Sequence, residues 1–222
     1  MKTTTMACAI ALGLAMTVAA SGTLYAADQP QTAPPATAPA AAATAAPKLH
    51  VALRELWQGH IQHTRAYAMA VRAGNATAAK KAADDVVANA KQIADAVGRF
   101  YGADAGAAML KLLAGHWGGV KAMTDADHAG DKAASAKAMQ DLTANADAIA
   151  KFLSGANPNL PEAAVRGLVM THVGHHSAQI GEIMKGDMQA EATTWKAMQA
   201  HMNTFADALA DGIAKQFPAK AT

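Results

Sequence analysis

Three equally spaced histidines are the strongest chemical signal in this chain. His60, His116 and His172 lie 56 residues apart. Fourteen residues after each comes a glycine and then Asn or Asp, a pair typical of one helix ending and the next beginning. Imidazole binds transition metals and transfers protons. Equivalent histidines on three helices therefore indicate a metal site, a proton-transfer site or a buried polar layer.

Three further polar residues are predicted at the same level of the structure. A helix rises 1.5 Å per residue, so each histidine lies about 21 Å before its turn. On each returning helix, the residue 15 positions after the turn glycine lies at nearly the same height as the histidine. These residues are Asn89, Asn145 and His201. All lie on or beside the apolar stripes of their helices. The spacing therefore predicts a six-residue layer in which the third hairpin differs by carrying His201.

A transition-metal site is our preferred interpretation of this layer. Three or four imidazoles from different helices, without thiols, suit Zn²⁺ or Cu²⁺. His176 lies one helical turn after His172, so it is predicted to face the same interior. The predicted ligands are His60, His116, His172, His201 and His176. Asn89 and Asn145 would orient the imidazoles from outside.

Two other interpretations stay open at this stage. The layer would bind no metal if its hydrogen bonds only fix the register of the helices. It would belong to an enzyme if the histidines act as acid and base beside a cavity that reaches solvent. His175 is predicted to be solvated, and His50, His63 and His128 to lie on the surface or at helix ends.

Several classes of function lack their sequence signals. The chain has no P-loop, no GxSxG and no dinucleotide fingerprint. It has no CxxCH, and no other pattern selects haem. A formal charge of +2 without a basic patch does not indicate nucleic acid as a partner. These observations favour a binding protein over an enzyme.

The elements that must position the histidines are all predicted to be helices. Ala, Leu, Met, Lys and Gln are abundant, and apolar residues recur at three- and four-residue steps. The predicted helices are 49–73, 76–101, 104–129, 132–154, 161–185 and 188–216. The chain is therefore predicted to be an all-α six-helix bundle made of three 56-residue αα-hairpin repeats. A four-helix bundle with one added hairpin is the alternative.

The chain is predicted to have three parts. Residues 1–27 resemble a signal peptide, with Lys2 before the apolar stretch Met6–Ala20, which indicates a periplasmic or secreted protein. Residues 28–47 are an Ala/Pro-rich sequence typical of a flexible linker, and 48–222 form the bundle. The only cysteine, Cys8, lies in the signal, so no thiol is expected after cleavage. Charged residues interrupt the later apolar stretches, so no transmembrane segment is expected after cleavage either.

Several stretches resemble an uncharacterised family of small exported all-helical bacterial proteins. They are LRELWQGH ending at His60 with Thr64-Arg65, FYG at Phe100–Gly102, LLAGH ending at His116, NADAIAKFLSGANPN at Asn145–Asn159 and KQFP at Lys215–Pro218. Members sometimes carry the labels glycosyltransferase or acetylglutamate kinase without supporting motifs, so the resemblance implies no activity. It implies that His60, His116, His172, His201, Asn89 and Asn145 match the family pattern. His63, Leu160 and Gln199 depart from it, where tryptophan, tryptophan and histidine are usual.

Overall fold

The computed structural model describes residues 46–221, so the predicted signal peptide and most of the predicted linker lie outside the described residues. All regular secondary structure in this part of the chain is helical, which confirms the predicted all-α class. No predicted helix end differs from the observed one by more than two residues. The helices are α1 Pro47–Arg72, α2 Ala76–Tyr101, α3 Ala103–Ala129, α4 Lys132–Ala156, α5 Glu162–Lys185 and α6 Met188–Gln216.

Three tight turns join the helices into antiparallel pairs. Gly74, Gly130 and Gly186 all have φ between 65° and 79°, the left-handed conformation that glycine adopts without a steric penalty. The following side chain then accepts a hydrogen bond from the first turn of the next helix. The acceptors are Asn75, Asp131 and Asp187. The same short sequence therefore reverses the chain three times.

The six helices close into a ring around a central triangle. Helices α1, α3 and α5 contact one another at the centre. Each even-numbered helix lies outside and contacts two of them: α2 lies against α1 and α3, α4 against α3 and α5, and α6 against α5 and α1. This is the closed arrangement of six helices, and the four-helix bundle with an added hairpin is not formed. The odd-numbered helices consequently control what lies on the central axis.

The contact between α1 and α6 that closes the ring contains buried polar pairs. Arg65 donates two hydrogen bonds to Glu191, whose carboxylate is 1 % exposed and also accepts from Gln179. Near the start of α1, both ring nitrogens of His50 lie about 3 Å from carboxylates of α6, those of Asp207 and Asp211. His50 is at a helix end, as predicted, but it is buried against α6.

The apolar core is divided into two clusters along the bundle axis. The first contains Leu53, Trp57 and Phe205, and the second contains Tyr67 and Met123. The equally spaced histidines lie where one cluster gives way to the other on α1, α3 and α5. Over the described residues, no helix is long and apolar enough to cross a membrane.

Candidate metal centre

Four histidines meet in the interior of the central triangle. His60 comes from α1, His116 from α3, and His172 and His176 from successive turns of α5. Each is 5 % exposed or less. One ring nitrogen from each lies within 4.8 Å of the corresponding nitrogen of every other member. We call this group the histidine cluster.

These distances are close to those required by a four-coordinate metal. Zn–N bonds of 2.0–2.1 Å in a tetrahedron place the nitrogens about 3.3 Å apart. No pair would have to close by more than roughly 1.5 Å, a distance on the scale of an imidazole rotation about its side-chain bonds. The Nε2 atoms of His172 and His176 are already 3.0 Å apart. The four nitrogens are therefore close enough together for the cluster to hold one ion.

Four of the eight ring nitrogens in the cluster are buried without a hydrogen-bond partner. Neither ring nitrogen of His60 forms a hydrogen bond, and the same is true of Nε2 of His116 and Nδ1 of His172. Nδ1 of His116 lies 3.3 Å from the Oδ1 atom of Asn145, so it carries the proton and leaves the Nε2 lone pair facing the cluster. Buried polar atoms without partners are uncommon in folded proteins, and a ligand is one explanation for them.

The surroundings keep the cluster uncharged at neutral pH. Burial lowers the pKa of His60 to about 3, with smaller contributions from His116 and His63. Burial lowers the pKa of His116 to about 4, although its contact with Asn145 opposes this. The pKa values of His172 and His176 are also well below the ordinary value, first through burial and then through the neighbouring imidazoles. Neutral imidazole is the form that binds metals, so the ligands require no deprotonation at pH 7.

The other predicted layer residues lie outside the cluster and share one role. Asn89, Asn145 and His201 each donate a side-chain hydrogen bond to a backbone carbonyl of the preceding helix. The acceptors are Leu56, Leu112 and Leu168, each four residues before an equally spaced histidine. His201 therefore occupies the position of the asparagines and is not a member of the cluster, where His176 is the fourth member.

The remaining histidines lie away from the centre. The ring of His175 packs 5.4 Å from that of His201 and is partly buried, whereas the sequence predicted it to be solvated. His63 is partly exposed, with its Nδ1 3.9 Å from Asp85, and His128 is exposed at the end of α3. The role of His176 was suggested by its helical spacing from His172, but nothing in the sequence placed it ahead of His201.

A small cavity adjoins the cluster on the side of the first apolar core. Its volume is about 20 Å³, close to the space that one water molecule needs. Besides His60, His116 and His172, it is lined by Trp57, Leu113, Ile149, Val169 and Phe205. The walls opposite the imidazoles are therefore formed by apolar residues.

Comparisons with protein-family models, curated proteins and solved structures each give no match to this chain. The resemblance to a family of exported helical proteins stays a prediction. What the site can do is therefore argued from its geometry alone. Four neutral imidazoles on three helices can bind a metal ion, accept protons or only complete a polar core.

Proposed function

We propose that this chain is an exported protein that binds one transition-metal ion, zinc or copper, in the histidine cluster. The ligands would be His60, His116, His172 and His176, with Asn145 orienting His116. The protein would act as a buffer, carrier or sensor of the metal in the periplasm or outside the cell. The proposal that it is exported rests on the signal-like residues 1–27.

The observation that supports this proposal most strongly is the convergence of four uncharged imidazoles, four of whose eight ring nitrogens are buried without a hydrogen-bond partner. A layer selected only to fix helix register would be expected to satisfy its own hydrogen bonds, because unpaired buried polar atoms destabilise a fold. The outer residues Asn89, Asn145 and His201 each donate a hydrogen bond, and among them only Oδ1 of Asn89 is buried without a partner. The concentration of unpaired nitrogens in the inner set favours a ligand there.

The second candidate is a structural or interaction module of the cell envelope that binds no metal. Its support comes from the three side-chain hydrogen bonds that join the two helices of each hairpin at equivalent places. In that case the four histidines would tolerate replacement by other residues of similar size. The two candidates therefore differ in whether changes to the cluster alter metal binding.

The test is a metal titration of the purified full chain after treatment with a chelator. We expect one equivalent of Zn²⁺ or copper to bind and to raise the melting temperature, since a ligand that binds only the folded state stabilises it. The replacement pair His116→Ala and His172→Ala should abolish both effects.

The matched control is the pair His63→Ala and His128→Ala, which removes two histidines outside the cluster and should leave binding unchanged. The single change His60→Leu keeps the core apolar and filled, so it tests binding if the double variant does not fold. Absence of binding at one equivalent in the wild-type chain, or equal binding by the folded cluster variants, would refute the proposal.

A further inference from the structure

The charge balance of the histidine cluster distinguishes between the metals that it could hold. All four ligands are neutral imidazoles, so the bound ion would keep its full charge. Within residues 46–221, no carboxylate forms a hydrogen bond or ion pair with any of the four rings. The one outer partner of a ring nitrogen is the neutral amide of Asn145. Metal-binding histidines commonly have a carboxylate, a backbone carbonyl or a water in that place.

The nearest carboxylates along α5 and α6 lie outside the cluster. Glu191 is paired with Arg65, so its charge is already balanced. Glu182 lies six residues beyond His176, about 9 Å along the helix; its Oε1 accepts a hydrogen bond from Thr194 and its Oε2 is buried without a partner. Neither residue contacts an imidazole of the cluster.

An anion from solvent would find no support beside the cluster either. The adjoining cavity is lined, apart from the imidazoles, by Trp57, Leu113, Ile149, Val169 and Phe205. Of these side chains only Trp57 carries a hydrogen-bond donor, and its Nε1 is buried without a partner. A hydroxide or halide ion that accompanied a divalent metal would therefore be desolvated, with Trp57 as the one side-chain donor available besides the imidazoles themselves.

We propose that the histidine cluster selects a monovalent ion, Cu(I), over divalent ions such as Zn(II) and Cu(II). This inference rests on the proposed function. The cost of placing an ion in a medium of low polarity rises with the square of its charge, so a monovalent ion of similar size incurs about a quarter of the cost of a divalent one. Cu(I), like Zn(II), has a filled d shell, so both accept the tetrahedral arrangement. Measured relative to free imidazole, which presents the same ligand atoms, the two ions then differ mainly in the cost of burying their charge.

The experiment compares the preference for Cu(I) over Zn(II) in the protein with the same preference of free imidazole in water. The full chain is titrated with Cu(I) in the absence of oxygen and with Zn(II), each against a chelator of known affinity. The same ratio of affinities is measured for free imidazole at the same pH. We expect the protein to favour Cu(I) over Zn(II) at least 100-fold more than free imidazole does.

A second readout is the oxidation state of bound copper. We expect copper loaded as Cu(I) to give no Cu(II) signal in electron paramagnetic resonance after exposure to air. A preference for Cu(I) over Cu(II) of 100-fold corresponds to a potential about 120 mV higher than that of the reference complex. The His60→Leu variant should lose the preference, whereas His128→Ala should keep it.

The outcomes separate this inference from the proposed function. Binding of one Zn(II) by the cluster with no gain for Cu(I) relative to imidazole would overturn the inference and leave the metal site standing. A stoichiometric Cu(II) signal from the cluster would do the same. If neither ion binds at one equivalent in a manner that depends on His60, the proposed function itself fails.

Discussion

The metal-free protein should lose stability steeply between pH 7 and pH 5. The four imidazoles of the cluster are held neutral by burial, with pKa values of about 3 for His60 and about 4 for His116 and values well below normal for His172 and His176. In the unfolded chain each has a pKa near 6.5. Because the folded pKa values are lowered, the unfolded state binds more protons as the pH falls. The free energy of unfolding therefore begins to fall as the pH approaches 6.5 from above, and it falls steadily below that pH.

The size of the loss in unfolding free energy follows from the number of buried histidines. At pH 5.5 each unfolded histidine is about nine-tenths protonated, whereas the folded one remains neutral. Each then contributes a loss of between about 1 and 2 kcal/mol relative to pH 7.5, and the four together roughly 5 kcal/mol. Small domains have total stabilities of about 5–15 kcal/mol, so the metal-free chain should approach unfolding near pH 5.

The carboxylates titrate in a lower pH range, so their contribution to stability can be separated from that of the histidines. Hydrogen bonds from Arg65 lower the pKa of Glu191, and hydrogen bonds from Arg54 lower that of Asp207. Their contributions are present above the unfolded pKa values and are lost only as the pH falls below about 4. The interval from pH 7.5 to 5.5 therefore reports mainly on histidines.

The assay is urea unfolding of the chelator-treated full chain, followed by far-ultraviolet circular dichroism at pH 7.5, 6.5 and 5.5. The His60→Leu variant should reduce the loss by about a quarter, since one of four titrating groups is gone. The control change His128→Asn, at an exposed position outside the cluster, should change it little. A wild-type loss that corresponds to one proton or fewer would refute the claim that four neutral imidazoles are buried together.

Two further predictions concern the contacts that hold the helices around the cluster. A Cβ atom at Gly115 would lie 3.1 Å from the Asn145 amide, so Gly115→Ala should weaken its hydrogen bond and show no gain in the free energy of unfolding. A Cβ atom at Gly118 would meet no atom within 4 Å, so the matched change Gly118→Ala should stabilise the protein by about 1 kcal/mol through helix propensity. Equal effects of the two alanine changes on the free energy of unfolding in urea would contradict this prediction. Replacing Glu191 by Ala leaves Arg65 partly buried without its partner and should cost about 2–3 kcal/mol, and a loss below about 0.5 kcal/mol would show that the pair does not hold α1 to α6.

The fold followed from short-range signals in the sequence. The turn glycines at positions 74, 130 and 186, each before a capping residue, located three helix pairs, because these local conformations depend on few neighbours. The equal spacing of His60 and His116 then placed them at one level. The periodicity of the sequence does not show which helices lie inside the ring.

Which histidines form the cluster depends on which helices lie inside the ring. His201 lies on α6, an outer helix, and its ring contacts α5 at the Leu168 carbonyl and at His175, outside the cluster. His176 lies on α5, an inner helix, so one further turn still points to the axis. The residues at the right height were predictable from helix rise, but their distance from the axis became known only with the closed ring.

The most direct test of the metal site is X-ray absorption spectroscopy of the full chain loaded with one equivalent of zinc or copper. The proposed site predicts nitrogen ligands alone at about 2.0 Å, with outer scattering from three or four imidazole rings, and its loss in the His116→Ala and His172→Ala variant. Sulfur ligands, a shell made mainly of oxygen, or fewer than three imidazoles would contradict the assignment of the ion to the histidine cluster.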